Sequence, residues 1–128
     1  MQNNQSSQLL VGIDVGSTTA KIAVMDAASH EMLMRRYVRH HAQQANCLKS
    51  LLAELDQRFE GIPMRAALCG SGGAALAEAL DLPYVQEVVA NSLAVGANYP
   101  TARTAIELGG QDAKMIFFKF DNEANCLS

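Results

Sequence analysis

Ile13-Asp14-Val15-Gly16-Ser17-Thr18-Thr19-Ala20-Lys21 returns in altered form as Ile106-Glu107-Leu108-Gly109-Gly110-Gln111-Asp112-Ala113-Lys114, at a constant offset of 93 residues. In each copy a short apolar strand ends in an acidic residue, passes through Gly and small polar residues, and resumes as a second apolar strand. That second strand is Ile22-Ala23-Val24-Met25 in the first copy and Met115-Ile116-Phe117-Phe118 in the second. One such hairpin is common. Two in register, 93 residues apart, are too widely spaced for a solenoid unit and predict duplicated domains facing each other.

The residue types of the turn define what it can bind. Gly16, Gly109 and Gly110 allow positive φ and remove the Cβ that would keep backbone N–H groups away from a ligand. Successive N–H groups then form a concave anion site, to which the hydroxyls of Ser17, Thr18 and Thr19 add donors. Such a site fits phosphate. The carboxylates beside it, Asp14 in the first copy and Glu107 and Asp112 in the second, would repel phosphate unless a divalent cation lay between. Magnesium suits that position because it takes one or two carboxylates plus phosphate oxygens and keeps its remaining waters. Lys21 and Lys114 follow the turns by strand alternation, where they either reach phosphate or face water. Other phosphate motifs fit less well: there is no Gly-x-x-x-x-Gly-Lys-Ser/Thr, and Gly70-Ser71-Gly72-Gly73 lacks the third glycine of Gly-x-Gly-x-x-Gly because position 75 is Ala.

Gly12-Ile13-Asp14-Val15-Gly16-Ser17-Thr18-Thr19-Ala20-Lys21 resembles the first phosphate motif of the acetate/sugar kinase, Hsp70 and actin superfamily. Glu107-Leu108-Gly109-Gly110-Gln111-Asp112-Ala113-Lys114 resembles its second. The Gly-Gly-Gln-Asp form is similar to that of the ATPase activators of 2-hydroxyacyl-CoA dehydratases and benzoyl-CoA reductases, as are Leu68-Cys69-Gly70-Ser71-Gly72-Gly73 and Glu87-Val88-Val89-Ala90-Asn91. The resemblance runs from about residue 9 to 120. It implies a ribonuclease H-like, actin-like α/β fold that binds ATP and Mg²⁺, with Asp14, Glu107 and Asp112 on the metal side. Gly16, Ser17, Thr18, Thr19, Lys21, Gly109 and Gly110 would hold phosphate, and Gln111 with Asp112 would orient water and metal. It further implies a homodimer that shares a [4Fe–4S] cluster and passes an electron to a dehydratase or reductase partner. A small-molecule kinase and a non-catalytic, actin-like nucleotide switch would use the same cradles.

Three positions depart from that pattern. Glu107 stands where the second motif usually opens with Asp, Asn91 stands where the family often has His, and the adenosine motif and the Cys-Ala-Ala-Gly-Thr-Gly segment have no counterpart before Ser128. The chain therefore reads as an amino-terminal piece: a first subdomain over residues 1–103 and the opening hairpin of a second over 104–128. Its 128 residues, 49% hydrophobic, can bury one core, whereas a complete two-domain ATPase needs roughly twice that length.

A net charge of −3 with 10 basic residues gives no broad basic surface and argues against nucleic acid. The polar start lacks a basic n-region, and Asp14, Lys21 and Asp26 interrupt the apolar stretch that follows, so no membrane span is expected. Cys47, Cys69 and Cys126 are odd in number and widely spaced, which points to a reducing cytoplasm rather than a disulfide framework. Cys126 reads as an ordinary free thiol.

Leu9–Val15, Ala20–Asp26 and Glu31–Arg39 read as three antiparallel strands. Asn46 is placed as the N-cap of a helix whose apolar face is Leu48, Leu51, Leu52, Leu55 and Phe59, ended by Gly61-Ile62-Pro63. Ala66–Cys69 reads as a buried strand that turns through Gly70-Ser71-Gly72-Gly73 into a helix near Ala74–Leu80. Val85–Ala97 reads as a helix with Val85, Val88, Val89 and Leu93 inward. Glu87 and Asn91, four apart on that helix, are read as surface residues, and His30, His40 and His41 as solvent-exposed.

Overall fold

The structure, a computed structural model, describes residues 8–119. The expectation for Cys126 lies outside the described residues. Packing divides the chain after Val85. The sequence reading drew its boundary at 103/104; by contacts, the helix preceding the second hairpin groups with that hairpin.

The first unit is built on a four-stranded sheet in the order β3-β2-β1-β4, from β1 (Leu9–Val15), β2 (Thr19–Asp26), β3 (Met32–Arg39) and β4 (Met64–Cys69). β1 pairs antiparallel with β2, β2 antiparallel with β3, and β1 parallel with β4. This is the mixed α/β sheet with three antiparallel leading strands that the sequence predicts. Alternation sorts the two faces. Leu9, Val11, Ile13 and Val15 of β1 and Ala20, Ile22 and Val24 of β2 are buried on one face, with Met34 and Leu68. Leu48, Leu51 and Leu55 of α1 (Gln44–Arg58) and Ala77 of α2 (Gly73–Ala79) complete this core, with Leu52 and Phe59 partly buried against it. The opposite face carries Gly12, Asp14 and Lys21.

Helix α1 starts before Asn46, which is therefore not its cap. Gln43 precedes the helix with no side-chain cap, its N–H donating to the His40 carbonyl at 2.8 Å. A tight backbone turn launches the helix, and Asn46 only reaches back to Gln43 Oε1 at 3.4 Å.

The second unit contains α3 (Glu87–Asn98) and an antiparallel hairpin of β5 (Thr104–Leu108) and β6 (Ala113–Phe117). The helix forms as predicted from its apolar spacing, but no residue on it is buried. Val88, Val89 and Leu93 are exposed, Leu93 at 67%, and Val85 precedes the helix. Periodicity identifies the apolar face; the described part of this unit has no second layer to cover it. The same holds for the hairpin face formed by Ile106, Leu108, Met115 and Phe117, all exposed. Among the described residues no helix is long and apolar enough to cross a membrane.

Candidate functional site

The two hairpins are the same device at the level of individual bonds. In the first, Asp14 is paired with Lys21 and Ile13 with Ile22, and Gly16 N–H donates to Thr19 O at 2.8 Å. In the second, Glu107 is paired with Lys114 and Ile106 with Met115, and Gly109 N–H donates to Asp112 O at 2.8 Å. Neither glycine takes a positive φ, contrary to the sequence expectation. Each sits in a tight turn instead: a Cβ on Gly16 would lie 3.3 Å from Thr19 O, and one on Gly109 would lie 3.1 Å from Asp112 O and 2.8 Å from the mobile end of the exposed Asp112 side chain, Oδ1.

The first turn is held from behind. Its carbonyls are occupied: Val15 O accepts from Gly72 N–H (2.8 Å), Gly16 O from His40 Nε2 (2.9 Å), Thr18 O from His40 N–H (3.2 Å) and Thr19 O from Gly16 N–H. Among the described residues no hydrogen bond uses the N–H of Ser17 or Thr18. Ser17 is exposed and Thr18 half-buried, whereas Thr19 is 7% exposed and serves the turn through its carbonyl. The result is a rigid turn with two adjacent free donors, the arrangement an anion needs.

Asp14 ends β1, where its neighbours are Lys21 on β2 and Cys69 on the parallel strand β4. Carboxyl ends of parallel strands are where open α/β sheets bind ligands. Lys21 Nζ bonds Asp14 Oδ2 at 2.7 Å and sits 5.5 Å from the Tyr37 ring centroid. Asp14 Oδ1 is buried and, among the described residues, has no hydrogen-bond partner. A buried carboxylate oxygen left without a partner is costly, of order 1–3 kcal/mol or more for a charged group, so this atom calls for a donor or a cation. Gly70, at φ +91°, closes over it: a Cβ there would stand 2.4 Å from Asp14 Oδ1 and 2.5 Å from Val15 O. The Gly70–Gly73 loop thus backs the acidic residue, and Tyr84 Oη donates to Gly70 O at 3.1 Å to fix it.

In the second hairpin the carboxylates already have partners. Asn91 Nδ2 donates to Glu107 Oε2 at 2.8 Å, and Lys114 Nζ bonds Glu87 Oε2 at 3.0 Å and lies 3.6 Å from Asp112 Oδ2. The hydrogen bond to Glu87, then the nearby charges of Glu87, Glu107 and Asp112, hold the Lys114 pKa above its ordinary value against the opposing effect of desolvation. Glu87 and Asn91 are therefore not idle surface residues: helix spacing puts them on the face that meets the hairpin charges. Gly109, Gly110, Gln111 and Asp112 are exposed. Among the described residues no three His, Cys, Asp or Glu gather as a metal-ligand group.

His40 corrects the expectation of an exposed ring. It is 3% exposed, with both ring nitrogens engaged. Nothing in the sequence separates it from His41, because its burial depends on how β3 closes onto the β1–β2 turn. A groove of about 430 Å³ between β3 and α1, lined in part by Val38, His40, Cys47 and Glu54, includes none of residues 14–19.

Comparison with known proteins places this arrangement. No curated protein matches the chain by sequence. The crystal structure of component A of the (R)-2-hydroxyglutaryl-CoA dehydratase of Acidaminococcus fermentans is similar at TM-score 0.73 and 22% identity, over 95% of this chain and 46% of that one. A type II Ppx/GppA phosphatase of Aquifex aeolicus is similar at TM-score 0.59 and 12% identity, over 94% of this chain and 50% of that one. A ROK-family transcriptional regulator, a homologue of the E. coli Mlc protein, follows at TM-score 0.55 and 14% identity, over 81% and 34%. These likenesses establish the actin-like ATPase fold, and the chain spans half or less of the length of each. The profile of one family matches residues 11–126, nearly the whole sequence, and the chain belongs to that family, the BadF/BadG/BcrA/BcrD ATPases.

Proposed function

We propose that this chain is the nucleotide-phosphate-binding portion of an ATPase that, in its full-length form, couples ATP hydrolysis to electron transfer activating a 2-hydroxyacyl-CoA dehydratase-type enzyme. The observations that carry the phosphate reading are the buried Asp14 Oδ1, without a hydrogen-bond partner among the described residues, and the unused N–H groups of Ser17 and Thr18 in the turn that follows it in sequence. The likeness to a dehydratase component supports the partner reading.

In this reading Asp14 would hold magnesium from the first hairpin, and Glu107 and Asp112 are the metal-side carboxylates proposed for the second. When bound, the ion would supply charge neutralisation to the β- and γ-phosphates, which is most of what phosphoryl transfer requires. The N–H groups of Ser17 and Thr18, and those around Gly109 and Gly110, take phosphate oxygens. Lys21 aims the Asp14 side chain by a charge-assisted hydrogen bond to Oδ2. Gln111 orients the attacking water, with Asp112 beside it. For an iron–sulfur cluster the described thiols do not suffice: Cys47 is on α1 and Cys69 ends β4, and among the described residues neither belongs to a metal-ligand group, so no step is assigned to one. Reduced cysteines and ATP dependence support a cytoplasmic location, and the exposed apolar hairpin face supports a homodimer.

The test uses the full-length ATPase with a 2-hydroxyacyl-CoA dehydratase-type acceptor. Magnesium-dependent ATP hydrolysis accompanied by reduction of that acceptor is the expected result. Phosphoryl transfer to a small hydroxyl or carboxylate compound would make the protein a kinase instead, and nucleotide binding without turnover would make it a switch.

A further inference from the structure

We infer that His40 is the positioning residue of the first phosphate turn, the side chain that holds Gly16 so that the Ser17 and Thr18 N–H groups stay available. The inference rests on the phosphate reading of that turn. Gly16 O can only accept a hydrogen bond, so the His40 nitrogen 2.9 Å from it, Nε2, carries the proton. Ala42 N–H can only donate, so Nδ1, 3.1 Å away, is bare. The ring is thereby fixed as the neutral Nε2–H tautomer with both nitrogens used.

The same residue grips the turn a second time, its own N–H donating to Thr18 O at 3.2 Å. One residue thus braces the carbonyls on both sides of Ser17, and the ring is 3% exposed, out of competition from water. The segment that brings Ala42 N–H to the ring is unusual in itself. His41 (φ 48°) and Ala42 (φ 61°) are consecutive non-glycine residues in the left-handed region, a conformation that persists only where surroundings over-determine it. What the segment secures is the orientation of His40, whose Nδ1 receives the Ala42 N–H, and through His40 the Gly16 carbonyl. The brace is particular to the first turn: Gly109 makes the same bond to Asp112 O as Gly16 makes to Thr19 O, and among the described residues no histidine backs it.

A buried histidine that only filled space would give a different set of responses. The test uses the isotope-labelled 128-residue chain, with His40→Gln, which keeps a side-chain N–H donor, and His40→Leu, which keeps volume and loses the donor. Three quantities are read: the ring ¹⁵N shifts of wild type, the ¹⁵N relaxation of Ser17 and Thr18 without ligand, and their shifts on titration with magnesium tripolyphosphate. In wild type the Nε2–H tautomer is expected and the turn is ordered. In His40→Leu the strand resonances stay in place while Ser17 and Thr18 become mobile, and tripolyphosphate affinity falls by about tenfold, the effect of one buried hydrogen bond. In His40→Gln order returns and affinity recovers to within about threefold of wild type.

Equal order and affinity in wild type and His40→Leu would overturn the inference, as would equal losses in Leu and Gln. Should neither variant fold, an Nδ1–H or mixed tautomer in wild type would overturn it and a pure Nε2–H tautomer would support it. Absence of any tripolyphosphate shift at Ser17 and Thr18 in wild type would sink the phosphate reading alone, because ligand-free relaxation across the three chains still decides the role of His40.

Discussion

Gly70→Ala should be among the most damaging small substitutions in the first unit. The added methyl would stand 2.4 Å from Asp14 Oδ1, 2.5 Å from Val15 O and 2.7 Å from Val15 C. Two of those three atoms are backbone and cannot swing aside. Val15 is fully buried, pairs with Ala20 on β2, and has its carbonyl tied to Gly72 N–H at 2.8 Å. Relief therefore means moving the end of β1 or the Gly70–Gly73 loop. Holding alanine at φ +91° costs about 1–2 kcal/mol, and forcing a methyl into a packed site costs about 1–3 kcal/mol more. A loss of about 2–5 kcal/mol is a large part of a typical domain stability of about 5–15 kcal/mol. For a domain of this size it lowers the melting temperature by about 10 °C or more. Gly12→Ala is the matched control: it sits in the same sheet, has nothing within 4 Å of the added Cβ and no positive φ, so stability should change by less than about 1 kcal/mol. Urea and thermal unfolding of the two variants beside wild type measure the difference. Equal midpoints for Gly70→Ala and Gly12→Ala would refute the claim that this loop is locked against Asp14.

The other expectations concern separate parts of the chain. In the full-length ATPase, Gln111→Ala should lower kcat with little change in nucleotide affinity, the pattern of a group acting mainly in the transition state; equal losses in both would make it a binding residue. Asp26 accepts from the Ser29 N–H and hydroxyl and from the Ala28 N–H, which hold its pKa below the ordinary carboxylate value. Its contribution is present above the ordinary carboxylate range and is lost as pH falls through the lowered value, so carboxyl ¹³C titration should give a depressed midpoint and Asp26→Asn should flatten the acid limb of the stability curve. The 128-residue chain should self-associate through the face of Met115 and Phe117; sedimentation should show Phe117→Glu shifted toward monomer, and a wild-type chain that is monomeric at high concentration would contradict this.

Much of this architecture was readable because the repeat carries its own register. The repeat matches Asp14 to Glu107 and Lys21 to Lys114, and these residues form corresponding rungs of the two ladders. The leucines of α1 likewise announced their face. The failures share a cause: they turned on what lies opposite a residue, which spacing along the chain does not encode. Val88, Val89 and Leu93 have the period of a buried face but no layer over them, and His40 looks like His41 until the β3 end folds beneath Gly16. Asn46 misled in another way, because a favourable capping residue gave way to a backbone bond from Gln43 to His40. The buried oxygen of Asp14 is equally invisible in the sequence, which supplies the carboxylate but not the glycine loop that closes over it.

The most direct test of the account replaces magnesium by Mn²⁺ and follows amide and carboxyl resonances as the manganese–ATP complex is added to the labelled chain. Paramagnetic broadening should appear first at the Asp14 carboxyl and at the Ser17 and Thr18 amides, and Asp14→Asn should abolish it while the spectrum of the sheet is retained. Broadening centred on the groove lined by Val38, Cys47 and Glu54, or broadening at Ser17 and Thr18 that survives Asp14→Asn, would contradict the assignment of this turn as the metal–phosphate site.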